Sequence, residues 1–136
     1  MDILYRIILK EISMEKLLIF HLDDTEYKKL EQITRNLKIR CERVADSAYN
    51  QTLEALVSGK VNPLATTFTG NIPPESLLLM CDFSDKRMDK LLFELRKAGV
   101  TIDFKAVLTP TNQKWTIPQL MFEMHKERAA YANMQP

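Results

Sequence analysis

Two short apolar runs in this chain are each followed at once by acids. Leu17 to Leu22, with His21 near its end, leads into Asp23 and Asp24; Leu77 to Cys81 leads into Asp82, Ser84 and Asp85. Carboxylates gathered from two such runs would hold Mg²⁺, which takes hard oxygen ligands. Cys81 beside His21 would be a thiol with a base, but a reactive thiolate needs an electropositive setting, and these neighbours are acidic. The same residues have plainer uses. Asp23, Asp24 and Ser84 are helix-capping types, and Cys81 ends an apolar run as a buried thiol would. A second set is uncharged. Asn50-Gln51 stands in YNQT and Asn112-Gln113 in TNQK. Amide side chains offer donors and acceptors together, so they either read a ligand or fix a backbone. With Thr109, Thr111 and Trp115, the pairs Asn50, Gln51 and Asn112, Gln113 form a candidate ligand-binding surface. Asn112 also has a local use, as the cap of its own turn after Pro110.

These residues need elements to position them. Leu77 to Cys81 is apolar throughout and too short for a helix, which suits a strand buried on both faces. Ser84 caps the next helix, Met88, Leu91, Leu92, Leu95 and Ala98 give it one face, and Gly99 stops it. Ile102, Phe104, Ala106 and Leu108 then alternate with mostly polar residues, as in a strand near a sheet edge. The first half runs alike. Leu17 to Leu22 is a strand, Tyr27, Leu30, Ile33 and Leu37 stripe a helix, and Ile39 and Cys41 lie in a half-polar strand. Asp46 or Ser47 opens a third helix, closed by Gly59. Each half is therefore strand, helix, strand, helix, and the chain reads as a duplicated βαβα unit. Repeat one is 15–59, a Pro- and Gly-bearing linker is 60–74, and repeat two is 75–131. The apolar strands belong at the centre and the alternating ones at the edges. The expected fold is α/β: a four-stranded, mainly parallel sheet in order 2-1-3-4 with helices on both faces. Right-handed crossovers leaving parallel central strands in opposite directions put their helices on opposite faces. They also create a switch point, where ligands of open α/β sheets bind. His21, Asp23, Asp24, Cys81, Asp82 and Ser84 would meet there. With Thr109, these acids are similar to the site of response-regulator receiver domains, although a fifth strand with its lysine is missing.

Composition narrows the classes. At 136 residues with net charge +1, the chain is one domain, 14–136, with no field to recruit nucleic acid. Lys114 and Trp115 are too little for a base-stacking platform. The two cysteines and two histidines show no metal-ligand spacing, so no metal or cofactor is expected. Free thiols fit a cytoplasmic setting, and no apolar run is long enough to span a membrane. Residues 1–13 read as leader, because Lys10-Glu11 can be encoded by a ribosome-binding sequence just upstream of Met14; an extra N-terminal helix or edge strand is the other reading.

Phe83-Ser84-Asp85, Leu91 to Ala98, Lys105-Ala106-Val107-Leu108-Thr109-Pro110-Thr111-Asn112 and Trp115 resemble a family of small bacterial proteins known as domain of unknown function 3783. Tyr49-Asn50-Gln51-Thr52-Leu53 in the first half also looks like that family. Its proteins often carry glycine where this chain has Asp82. The resemblance implies no activity. The sequence favours a non-enzymatic ligand-binding or regulatory module, partnered by a small molecule or a protein, with homodimerisation open. A receiver-like phosphoacceptor or metal-dependent activity at the switch point is the alternative.

Overall fold

The computed structural model describes residues 15–65 and 67–134. Residues 1–13, read from sequence as a leader or an extra N-terminal segment, lie outside the described residues. The first strand, β1 (Lys16–Phe20), runs into α1 (Asp24–Leu37) and β2 (Arg40–Val44). A 3-10 turn, Asp46–Ala48, and α2 (Leu53–Ser58) complete the first half. The second half repeats the order with β3 (Leu77–Cys81), α3 (Asp85–Ala98), β4 (Phe104–Val107) and α4 (Ile117–Met134).

Local chemistry sets the helix ends. Asp23 accepts a hydrogen bond from Glu26 N, and Ser84 accepts one from Arg87 N, each satisfying a donor that the first turn leaves orphaned. Gly99 closes α3 at φ 70°, and the Arg96 and Leu95 carbonyls receive its chain end. The third helix differs from its sequence expectation. Asp46 opens only the 3-10 turn, and α2 starts at Leu53 behind the Thr52 cap. The bend between them turns Tyr49 into the core, where it is 1% exposed. At the other end α4 stays helical to Met134, past residue 131 where repeat two is expected to end.

The sheet order is β2-β1-β3-β4, as the contrast between continuous and alternating strands predicts. β1 and β2 are parallel, and so are β3 and β4, but β1 and β3 pair antiparallel. This pairing corrects the helix layout. Two right-handed units joined antiparallel are related by a two-fold axis normal to the sheet, which leaves their crossover helices on one face. Leu17, Ile19, Leu78 and Met80 accordingly pack with Leu30 and Ile33 of α1 and with Leu91 and Leu95 of α3. Leu18, Phe20, Leu77, Leu79 and Cys81 point the other way, onto Tyr49, Leu53 and Leu56 and onto Leu120 and Met121 of α4. Helices thus cover both faces, α1 with α3 and α2 with α4. Strands buried on both sides explain the two unbroken apolar runs.

The linker wraps the second face rather than standing off. Phe68 and Ile72 pack against that core, and Phe68 N donates to Ser47 O. Both cysteines are free. Cys41 joins the α1 side and Cys81 the α2 side, with β1 between their strands. Among the described residues, no helix is long and apolar enough to cross a membrane.

Candidate functional site

The antiparallel joint takes the expected switch point apart. Phe20 pairs with Leu77 and Lys16 with Cys81, so the ends of β1 and β3 lie at opposite ends of the sheet. Four residues of strand separate them, about 13 Å. His21, Asp23 and Asp24 stand at one end, and Cys81, Asp82 and Ser84 at the other. No shared carboxylate site forms, and His21 cannot serve Cys81. Most of these side chains have local work. Asp23 and Ser84 are caps, and Asp24 pairs with Arg43 at 2.9 Å. No group of three His, Cys, Asp or Glu among the described residues could hold a metal ion. The thiols are unsuited to attack. Burial pushes Cys81 up to about 12 and Cys41 up to about 11, so neither is a thiolate at neutral pH.

His21 and Asp82 share one further property. Each follows a central strand in the left-handed region, at φ 56° and φ 60°. Glycine reaches that conformation without strain, and His and Asp are among the side chains that tolerate it best. The chain must turn sharply there to start its crossover, which accounts for the glycine often found at the Asp82 position in the family that the sequence resembles.

A recess of about 870 Å³ opens at the β1 carboxyl end and is lined from both halves, including His21, Arg43, Asp46, Ser76 and Asp103. Its polar groups mostly bind one another. Asp103 accepts from the Ser76 backbone N at 2.9 Å and from its hydroxyl at 3.2 Å. Glu26 accepts from Thr101 N at 2.8 Å, and that bond, followed by Lys29, holds its carboxyl below the usual range. Arg43 donates to Leu22 O while lying over the Tyr27 ring. The recess is therefore a seam that ties the halves together.

The Asn-Gln pairs divide by role. Gln51 clamps the linker, donating to Asn62 O at 3.0 Å and accepting from Asn62 N at 2.9 Å. Asn50 lies half-buried beside it in the same turn. Asn112 is buried and shapes its own turn. Its Oδ1 accepts from Thr109 N at 2.8 Å and its Nδ2 donates to Val107 O at 2.9 Å. The backbone carbonyls of Gln113 and Trp115 accept from Glu54 N and Leu53 N, capping the start of α2. Thr52 and Thr116 form an antiparallel bridge at this junction. The two loops thus meet through their backbones, while their amide side chains face different tasks.

The turn that Asn112 fixes forms one wall of a hollow of about 360 Å³ between β4 and α4. Thr109, Thr111, Asn112 and Trp115 line it, opposite Leu120 and Met124 of α4. Four of the seven proposed ligand contacts are therefore brought together; Asn50, Gln51 and Gln113 are not among the lining residues. The α4 wall is absent from the sequence-based site. Its signal is the stripe Leu120, Met124, Glu127, which runs beyond the part of the helix that the sheet covers. Among the described residues, the Trp115 indole N–H and the Thr111 hydroxyl have no hydrogen-bond partner. Asn112→Ala should cost about 1–3 kcal/mol, since it strands a backbone donor and an acceptor. Urea unfolding measures this; an unchanged midpoint would show that the turn holds itself.

No curated protein and no solved structure matches the chain. Residues 76–131, from the start of β3 to within α4, match the model of a family described as a domain of unknown function (DUF3783).

Proposed function

We propose that the protein is a non-enzymatic binding module whose site is the hollow between β4, the 109–115 turn and α4. The observation that carries this is the wall itself. A hollow of about 360 Å³ falls within the usual size of ligand pockets, and its lining mixes apolar with polar side chains. Trp115, Leu120 and Met124 supply the apolar surface, and Thr109, Thr111, Glu123 and Glu127 supply the polar groups. Elsewhere among the described residues the acids are dispersed, the thiols are held protonated, and the polar groups of the recess at the β1 end mostly bind one another. Two free cysteines fit a cytoplasmic protein, and the repeated element order fits a duplicated unit.

Trp115 is the chain's single tryptophan, so its emission reports on this hollow alone. A thermal-shift screen with metabolites should find compounds that raise Tm, because a ligand of the native state must stabilise it. The same compounds should shift Trp115 emission. A Tm rise without an emission change would move the site elsewhere.

A further inference from the structure

Resting on that binding reading, we propose that the occupant is an extended peptide segment of another protein, which adds a fifth strand to the free edge of β4. Among the described residues, the sheet ends at β4. Phe104 N donates to Ser76 O and Leu108 N to Met80 O, so residues 104, 106 and 108 face β3. The alternation of a strand then turns the backbone groups of Lys105 and Val107 outward. Asn112 Nδ2 already occupies the Val107 carbonyl. Among the described residues, the Lys105 N–H and C=O and the Val107 N–H have no partner and are left for an added strand.

Both helix layers leave room beside that edge. On the α4 side is the Trp115 hollow. On the α3 side is a second hollow of about 290 Å³, lined by Asp89, Leu92, Arg96 and Lys105. A strand laid along β4 sends alternate side chains to the two sides, one into each hollow. The α4 side, where Glu123 and Glu127 stand beside Trp115, Leu120 and Met124, takes a large apolar residue and disfavours an acid. The α3 side has two cations against one acid, with the Leu92 side chain as a floor, and takes glutamate. The fitting partner is therefore an extended segment that alternates an apolar residue with acids.

A second copy fits less well. Antiparallel pairing of two β4 strands about Ala106 would bring only the partner's alanine methyl to the Trp115 hollow and leave most of it void. The shortness of β4, Lys105 on its edge and the Asn112 bond all blunt open-ended stacking. They suit a short, reversible pairing.

The test titrates the capped peptide Thr-Glu-Phe-Glu-Thr into the full ¹⁵N-labelled chain. Expected are Trp115 emission changes and slowing of hydrogen exchange at the Lys105 and Val107 amides by at least about tenfold at saturation. N-methylation at alternate peptide amides should separate two forms, one that still binds and one that does not, because only one set of amides faces β4. Peptide binding without protection at Lys105 and Val107 would overturn the added strand. So would concentration-dependent dimerisation in sedimentation with those amides protected and no peptide present, since a second copy would then hold the edge. If metabolites from the screen shift Trp115 while the peptide does nothing, the strand proposal fails and the binding module stands. If neither acts, both fail.

Discussion

Replacing Tyr49 by alanine should lower stability by about 3–5 kcal/mol, the range for deleting a buried aromatic ring. Tyr49 is 1% exposed and sits between two other rings. It meets Phe20 edge-on, with centroids 5.9 Å apart, and Phe68 at 5.8 Å. Phe20 is the last residue of β1, and Phe68 belongs to the linker. One ring therefore joins the sheet, the bend before α2 and the segment that leads to the second half. Removing it opens a cavity and also loosens Phe68, so the linker should become a protease target. Tyr49→Phe keeps the stack and should lose far less. Urea unfolding followed by Trp115 emission measures both. A loss below about 1 kcal/mol for the alanine variant would mean that the core collapses around the gap.

Alkaline pH should remove several kcal/mol of stability between pH 9 and pH 12. Burial is the main reason that Cys41 is raised to about 11 and Cys81 to about 12, from an ordinary value of 9.0. Below pH 9 both thiols are protonated folded or unfolded, and they add no pH dependence. Above it the unfolded chain gives up protons that the folded chain keeps. The native state then binds more protons, and stability falls as pH rises. A thiol whose pKa is higher by one in the folded chain than in the unfolded chain contributes about 1.4 kcal/mol to this loss. Tyr49, pushed up to about 12 by its own burial, adds to the slope at the upper end. Cys81→Ala should flatten the dependence of the urea midpoint on pH in this window. An equal slope in the variant would show that other groups carry it.

Burial patterns make the strand order legible, because a strand covered on both faces cannot hide polar residues and an edge strand can carry them. Leu17 to Phe20 and Leu77 to Cys81 mark the centre in this way. Strand direction leaves no such mark. A buried strand reads the same whether its buried neighbour runs with it or against it, so the antiparallel pairing of Leu18 with Leu79 is invisible in the sequence. Every expectation that depends on direction fails with it, including the meeting of Asp23 and Asp24 with Asp82. The candidate site is legible in part for a similar reason. Thr109 to Trp115 is contiguous, and a local turn can be read locally. Gln51 looks equivalent to Gln113, but its amide is committed to Asn62, a contact that no local pattern encodes. The left-handed residues are half visible. Asp82 stands where the family that the sequence resembles often carries glycine, while His21 gives no such hint.

The antiparallel joint also bears on how the molecule folds. Within each half, strand, crossover helix and strand are close in sequence, so little loop entropy opposes their first contacts. The β1–β3 ladder joins residues some sixty positions apart, from Lys16 with Cys81 to Phe20 with Leu77. Pairing across such a separation is slow relative to local assembly. Before it forms, each half holds a bare, mostly apolar strand edge, and such an edge is sticky toward any other unpaired strand. Neither half can therefore be an independent cooperative unit. The linker, with Phe68 pinned against Tyr49, shortens the search by keeping the second half near the first. The interval between synthesis of β1 and synthesis of β3 is then the moment at which this chain is most exposed to misassociation.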